Sequence, residues 1–591
     1  MVKPMLPTLS EEIPTGNEWV YEVKYDGFRA FLKWTENGVS LMSRNGQDLS
    51  DRFPEIIDAA KKGDPPDQLP VLLDGEIVIL NTPYQANFPI LQKRGRMRNK
   101  ASIKRIAGER PATFMAFDIL ESGKNLTSFV FIERKERLRK MINHIDFPSI
   151  QMVEVFEHKA DIHSLLLLHL GEGIVAKRKQ SIYQKGVRTR QWLKVKQWRS
   201  VSGFLTSFDP GNDYYKMEIW HGNKRVPLGS FKHGLTSEQA HTLATFFKEK
   251  GTNWRLNPSV CAAINCLMAE GGEMREPVFH QFRFDLEHDD CTVSKRDWDL
   301  LLFPEDVEIT HPEKILWPER KWSKQDYLMY IRAIAPYMIP FIKDKKLTLI
   351  RYPHGVGDES FFQKHRAEHS PDYVEAWKEN GETFIVSNEL SSLVWLSNQG
   401  ALEFHIPFQK AAANDPDEIV FDLDPPDRSA FHLSIIAAKL LKHLLDQLNV
   451  HGFIKTSGNK GMQLHIPITE GSMSYEETRK FTKSLVDLLV KESPDLFTIE
   501  RLKKNRGQRL YLDYVQHAEG KTIISPYSAR ATSEGTVATP LFWHEITEDL
   551  NPEDFTIKNV MQRVQEFGCP FQDYHKVRES QPIDVMKQLG G

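Results

Sequence analysis

Lys24 lies in Glu22-Val-Lys-Tyr-Asp-Gly-Phe-Arg29, beside a tight Asp-Gly turn that can hold a lysine out toward a ligand. A protonated lysine is a poor nucleophile. Burial or nearby cations lower its pKa and let it attack an electrophilic phosphorus. A lone KxDG is more often a surface hairpin. Here further segments follow it in order: Ser43-Arg-Asn-Gly46, Asp74-Gly-Glu76, Phe114-Met-Ala-Phe-Asp118, Glu172-Gly-Ile-Val-Ala-Lys177 and Trp192-Leu-Lys-Val-Lys196. A second chemistry stands downstream. Asp422 and Asp424 end the apolar run Ile419-Val-Phe-Asp-Leu-Asp-Pro425, two apart, so on a strand both face one way. Such a pair repels itself unless a cation lies between the carboxylates. Asp513, in Tyr511-Leu-Asp-Tyr514, would complete a two-metal cage for nucleotidyl transfer. The small-residue loop Lys455-Thr-Ser-Gly-Asn-Lys-Gly461 could cradle a triphosphate with its N–H groups and Lys460.

The first set resembles the covalent nucleotidyltransferases (ATP-dependent DNA ligases, RNA ligases and capping enzymes) over roughly residues 1–290. The resemblance implies that Lys24 forms a lysyl-AMP bond, with Glu22 against the adenine edge, Phe117 stacked on the base and Glu76 on the ribose. It also implies that Arg29 and Arg44 contact the nucleotide, that Lys177, Lys194 and Lys196 surround the α-phosphate, and that Glu172 helps hold a metal. Converging cations suit phosphoryl transfer, which spreads negative charge over equatorial oxygens. Met274-Arg-Glu-Pro-Val-Phe-His-Gln-Phe-Arg-Phe-Asp285 resembles the family's last motif, on an OB-fold domain. The family often continues with lysine where this chain has Leu286, which leaves Arg283 and Asp285 as candidates to orient pyrophosphate. Leu91-Gln-Lys-Arg94 and the Glu172–Arg178 segment look more like bacterial DNA ligases than capping enzymes.

The second set resembles the archaeo-eukaryotic primase-type polymerase domain of bacterial end-joining ligases, over about residues 305–580. Thr310–Pro318, Leu349–Pro353, Phe361–His365, Asn398-Gln399 with Glu403–His405, and Ser525–Arg530 carry that likeness. It implies Asp422, Asp424 and Asp513 as metal ligands, Ser457, Lys460 and Arg530 near an incoming nucleotide, and Lys364 and His365 near a DNA 5′-phosphate. Gln463 stands where the family usually has histidine; His465, two residues on, is the expected substitute because alternate strand residues share a face.

Together the two halves are similar to the ligase D family of bacterial non-homologous end-joining ligases. That similarity implies ATP, Mn2+ or Mg2+, and NTP or dNTP substrates, with a preference for ribonucleotides. It also implies binding to DNA ends (double-strand breaks, nicks, gaps), a Ku homodimer as partner, a monomeric chain, and a bacterial cytoplasm beside the nucleoid. No histidine and acid cluster suggests the phosphoesterase module of some relatives. An RNA repair ligase-polymerase and a non-catalytic DNA-end scaffold are the rival readings; the intact Lys24, Asp422, Asp424 and Asp513 argue against the second.

The elements that must position these residues follow from composition and period. A chain of 591 residues, 40% hydrophobic and 27% charged, is a soluble multidomain profile. Its net charge of −3 hides the basic stretches 91–110 and 177–200, which would track a phosphate backbone. Four cysteines without a CxxC pair exclude a disulfide scaffold and a zinc ribbon, and the amino terminus reads as lacking an export signal. No apolar run is long enough for a membrane. β-Branched and aromatic segments at Trp19–Val23, Val71–Leu80 and Thr113–Leu120 predict strands. Helices are expected at Ser237–Lys250, Ser323–Met338 and Tyr475–Val490, and strands at Glu418–Leu423 and Gly452–Lys455. The expected fold class is multidomain, α+β and α/β: an ATP-grasp-like adenylation domain over 1–200, an OB-fold β-barrel over 201–300 and a primase-like α/β domain over 301–591.

Overall fold

The computed structural model describes residues 3–62, 68–145, 147–267, 269–270 and 273–590. The chain divides into two compact units, Met1–Phe303 and Pro304–Gly591.

In the first unit two antiparallel-rich sheets face each other. One runs in the order Leu6–Leu9, Arg188–Lys196, Gly173–Arg178, Trp19–Val23; the other runs Ile150–Met152, Thr113–Ser122, Val71–Val78, Phe28–Thr35, Gly38–Ser43. Val20 and Trp192 from the first sheet interdigitate with Phe31, Leu72 and Leu120 from the second, and Phe131 joins them from a helix at Phe131–Ile145. Trp192 is 1% exposed, so truncating it would cost on the order of 3–5 kcal/mol. The strands predicted at Trp19–Val23, Val71–Leu80 and Thr113–Leu120 form at Trp19–Val23, Val71–Val78 and Thr113–Ser122, with Leu80 opening a separate short strand, Leu80–Thr82.

A five-stranded sheet follows, in the order Lys224–Phe231, Tyr214–His221, Arg199–Asp209, Cys261–Cys266, Val278–Phe282. A parallel bridge between His233 and Val278 joins its two edges, with Phe279 N–H donating to the His233 carbonyl at 2.8 Å. That closure and the helix Ser237–Lys250 between the third and fourth strands make an OB-type barrel. Thr236 and Gln239 cap the helix reciprocally. Cys261, Cys266 and Cys291 are buried free thiols in its core.

The second unit is built on a six-stranded sheet in the order Phe497–Thr498, Leu510–Asp513, Glu418–Asp424, Met462–Pro467, Phe453–Thr456, Pro540–Leu541. Phe431–Gln447 and Tyr475–Glu492 pack Leu441, Leu445, Phe481 and Leu485 against Phe421, Leu464 and Leu512 of this sheet. A four-stranded sheet of Phe361–Gln363, Thr348–Arg351, Ala401–Pro407 and Thr522–Ile524 completes the scaffold. The helix expected to end at Met338 runs Lys324–Ile342, through Pro336 and Pro340, because most of its faces are buried and packing overrides the helix-breaking tendency. Among the described residues no helix is long and apolar enough to cross a membrane.

Candidate active sites

The Trp19–Val23 strand is buried at every position, and Lys24 is the next residue. Lys24 N–H still donates to the Gly173 carbonyl at 2.9 Å, so the sheet aims the side chain. Gly27 is required by contact: a Cβ there would collide with the Ile77 carbonyl and the side chains of Glu76 and Val78. A cleft of about 260 Å³ opens between the two sheets, and its walls include Leu6, Pro7, Glu22, Lys24, Arg29, Arg44, Glu76, Phe117, Lys177, Arg188, Trp192 and Lys194. Eight of the residues singled out from sequence meet there.

At one end Glu22 is 2% exposed and both its oxygens are taken. Lys135 Nζ donates to Oε1 at 2.6 Å, and Lys177 Nζ lies 2.5 Å from Oε2. Lys177 was expected beside the α-phosphate with Lys194. The structure corrects this: its Nζ is buried 4.6 Å from the Phe117 ring centre and 4.3 Å from that of Trp192, because strand register places it diagonally from Glu22. Burial pushes the Lys135 pKa down to about 8, against the opposing pull of Glu22. In the middle, Arg29 forms a two-pronged bond to Asp74 at 3.0 and 2.7 Å and lies 5.2 Å over Phe117. Tyr183 donates to the same Asp74 at 2.6 Å. Burial pushes the Glu76 carboxyl up to about 8, partly offset by Arg29 and Lys24.

At the far end Lys24 is ion-paired with Glu172. The other Glu172 oxygen is buried with no hydrogen-bond partner, an arrangement that fits an additional cation. Burial, then Lys196 and Lys24, lower the Lys194 pKa. Lys196 and Glu172 lie outside the main cleft lining. Lys196 pairs with Glu276, and Glu172 lines an adjoining cavity of about 30 Å³ with Lys24, Asp26 and Arg275. Arg283 is turned to Asp285, at 2.8 and 2.7 Å, and to Ser202; neither lines the cleft, and Leu286 packs on the barrel core. The basic stretches are not uniformly free surface. Arg94 is buried and bonded to Glu55 at 2.9 Å, and Arg199 donates to the carbonyls of Leu300 and Leu170.

The second site is a line of neighbours across the large sheet. Lys455 pairs in register with Gln463, Gln463 with Asp422, and Asp422 with Asp513. Gln463 donates to Asp422 Oδ1 at 3.1 Å and accepts from Lys455. Burial pushes the Asp422 carboxyl up to about 6; Asp424 and Asp513 add to the rise and the Gln463 bond opposes it. Asp513 is also raised by burial, while it accepts from Tyr511 OH at 3.1 Å and from Gln516 N–H at 2.9 Å. Asp424 is drawn to Lys460 at 2.8 Å and Arg506 at 3.2 Å. Among the described residues no three His, Cys, Asp or Glu side chains converge as a formed metal cage. The donor set nevertheless fits: three carboxylates at adjacent positions of two neighbouring strands supply the hard oxygens that Mg2+ and Mn2+ prefer.

A cleft of about 200 Å³ beside them is lined by His405, Asp422, Asp424, Ser457, Lys460, Gln463, Gln516 and Arg530, among others. Ser457 Oγ accepts the Gly461 N–H at 3.1 Å, which folds the loop back on itself. Arg530 pairs with Glu403 at 3.5 Å, and Glu403 bonds His405 at 3.1 Å. The expectation for His465 is corrected. It is fully buried behind the cleft, with Nδ1 2.9 Å from Glu418, and Gln463 itself faces Asp422. Lys364 and His365 lie outside this cleft, exposed on the segment after Phe361–Gln363 beside the 73% exposed Phe362. Sequence reasoning missed Lys135, Tyr183, Lys455, Gln516 and Arg506. Lys135 sits in the charged run Glu133-Arg-Lys-Glu-Arg137, which reads as a solvated helix face.

The family model for the ATP dependent DNA ligase domain matches residues 4–196, and that for the LigD primase-polymerase domain matches residues 323–571. The chain is 40% identical over 603 residues to the bifunctional non-homologous end joining protein LigD of Bacillus subtilis, covering 99% of each chain. It is 26% identical over 642 residues to the multifunctional LigD of Pseudomonas aeruginosa, covering 100% of this chain and 74% of that one. Among solved structures it is similar to the polymerase domain of Mycobacterium tuberculosis Ligase D in complex with DNA, at 27% identity and a TM-score of 0.44, over 47% of this chain and 100% of that one.

Proposed function

We propose how the two sites act from one premise: the chain belongs to the LigD family of bifunctional non-homologous end joining proteins. It is an ATP-dependent DNA ligase joined to a primase-type nucleotidyltransferase. In the ligase half, Lys24 Nζ attacks the α-phosphorus of ATP. The N–P bond forms, the bond from phosphorus to the bridging oxygen breaks, and pyrophosphate leaves with the electron pair. Glu172, ion-paired with Lys24, stands ready to take the ammonium proton or to hold a divalent metal. Glu22 meets the adenine edge, Phe117 the base, and Glu76 the ribose. Arg29, Arg44 and Lys194 supply positive charge along the nucleotide, and Lys196, paired with Glu276 outside the cleft, adds its charge beside Lys194.

In the polymerase half, Asp422, Asp424 and Asp513 would hold Mn2+ or Mg2+. When bound, such ions lower the charge barrier between a primer hydroxyl and an incoming phosphate. Ser457, Lys460 and Arg530 line the cleft where an NTP or dNTP would enter. Lys460 and Arg506 hold Asp424 until that charge is taken over. Lys364 and His365 offer a basic, aromatic-flanked surface to a 5′-phosphate. The partners that fit this reading are DNA ends and a Ku homodimer, for a monomeric chain beside the bacterial nucleoid.

The observation that carries the ligase reading is Lys24 on the wall of a cleft shared with Glu22, Arg29, Arg44, Glu76, Phe117 and Lys194. Incubation with α-labelled ATP followed by denaturation tests it. Label must stay on the chain and vanish in Lys24→Ala; label retained by that variant rejects Lys24 as the nucleophile. Sealing of nicked DNA against nicked RNA fixes the strand.

A further inference from the structure

We infer that Lys135 sets the nucleobase choice of the ligase site by holding the Glu22 carboxylate as a fixed acceptor. The inference rests on reading Glu22 as the residue that meets the base edge. Lys135 projects from the helix Phe131–Ile145, is 1% exposed, and donates to Glu22 Oε1 at 2.6 Å. It does not line the nucleotide cleft, whereas Glu22 and Lys177 do. Lys135 is therefore a positioning residue that acts through Glu22 from behind.

The chemistry follows from donor and acceptor counts. An ionised carboxylate only accepts hydrogen bonds. Adenine presents an amino N–H at its 6-position, and guanine presents a carbonyl oxygen there. An ionised Glu22 thus binds the first and repels the second. A carboxylate buried as deeply as Glu22 needs partners for both of its oxygens. Lys177 compensates one oxygen and Lys135 the other. Lysine has no acceptor, so these contacts also fix the carboxylate plane. Without Lys135, Oε1 loses the donor that holds it and the carboxylate is free to turn, so the acceptor no longer meets the 6-amino group, nor opposes a guanine carbonyl, at a fixed position. Lys135 occupies a helix whose next turn holds Leu138 in the core, so its Nζ is anchored by packing as well as by charge.

The test is lysyl-nucleotide formation by the full chain, with KM and kcat measured for ATP, purine riboside triphosphate (which lacks the 6-amino group) and GTP. In the wild type, loss of the amino group raises KM about tenfold to a hundredfold, the range for a hydrogen bond to a charged group. In Lys135→Met the ATP KM rises toward that of the purine analogue, the ratio of the two falls to within about threefold, GTP labelling increases, and kcat stays within about threefold. Lys135→Arg, which keeps charge and donor, retains part of the ratio; Lys135→Gln, which keeps a donor without charge, does not. A ratio unchanged in Lys135→Met, with all three nucleotides slowed alike, shows a purely structural lysine and overturns the inference. If Lys135→Met does not fold, Lys135→Gln decides by the same ratio. Glu22→Gln separates the two readings. An unchanged ratio there removes Glu22 from the base, while a collapsed ratio there with an intact one in Lys135→Met rejects Lys135 alone.

Discussion

Asp422→Asn should abolish nucleotide addition and yet stabilise the metal-free second unit. Burial, aided by Asp424 and Asp513, raises the Asp422 carboxyl from 3.8 to about 6. For an acid, a raised folded-state pKa means the folded form holds its proton more tightly than the unfolded chain. Stability from this group is therefore present below about pH 4 and is lost as pH rises through about 6. A shift of about two units corresponds to about 3 kcal/mol at neutral pH, as an upper figure because Asp422 is only partly buried. Asparagine keeps an acceptor for Gln463 and removes the charge, so it recovers most of that cost. Thermal unfolding of the full chain, followed through the transition that the substitution moves, should show a gain of roughly 5–10 °C at pH 8 in the presence of a chelator. The gain should shrink to nothing near pH 4. Added Mn2+ should raise the wild-type transition and leave the variant's in place. A variant no more stable at pH 8, or one whose advantage persists at pH 4, refutes the electrostatic account of the carboxylate line.

Other expectations are independent of that one. Lys24→Ala and Lys24→Arg should both lose covalent AMP labelling while primer extension by the same protein continues, since guanidinium does not deprotonate usefully near neutrality. Binding to DNA ends should weaken with salt. If the exposed Lys93, Arg96, Arg98, Lys100 and Lys104 each neutralise one phosphate, their removal should flatten the slope of log K against log salt by about 4.5, and an unchanged slope would assign them to ordinary surface. Fragments 1–303 and 304–591 each enclose their own core, so each should unfold cooperatively and retain its own activity; a well-folded fragment that is inactive alone would count against independent sites.

Much of the site was legible in the sequence because phosphoryl chemistry restricts residue types. A KxDG lysine, an ordered set of acids and cations, and two aspartates spaced by the strand period announce themselves. The strands were equally legible, as at Trp19–Val23, since β-branched and aromatic content is a local property. The helix Ser237–Lys250 was placed from the sequence, and the structure adds the Thr236 cap that starts it. What failed were assignments that depend on which strand lies beside which.

Lys177 is an instance. Its type made it a phosphate contact by resemblance, but antiparallel register against Trp19–Val23 turns it to Glu22 and the aromatic wall. His465 is another. It shares a face with Gln463, yet the sheet at that point is covered, and the imidazole is bound to Glu418 rather than open to the cleft. Lys135 had no sequence signal, because a lysine in a charged helix carries no mark of burial. The sequence by itself determined the chemical groups, their order and the local periods. The tertiary structure decided which cation answers which carboxylate, since those pairings join residues as far apart as Glu22 and Lys135, and Asp424 and Arg506. The reason is physical: a side chain's charge state and partners are set by desolvation and by neighbours within a few ångströms, and chain folding, not sequence proximity, supplies both.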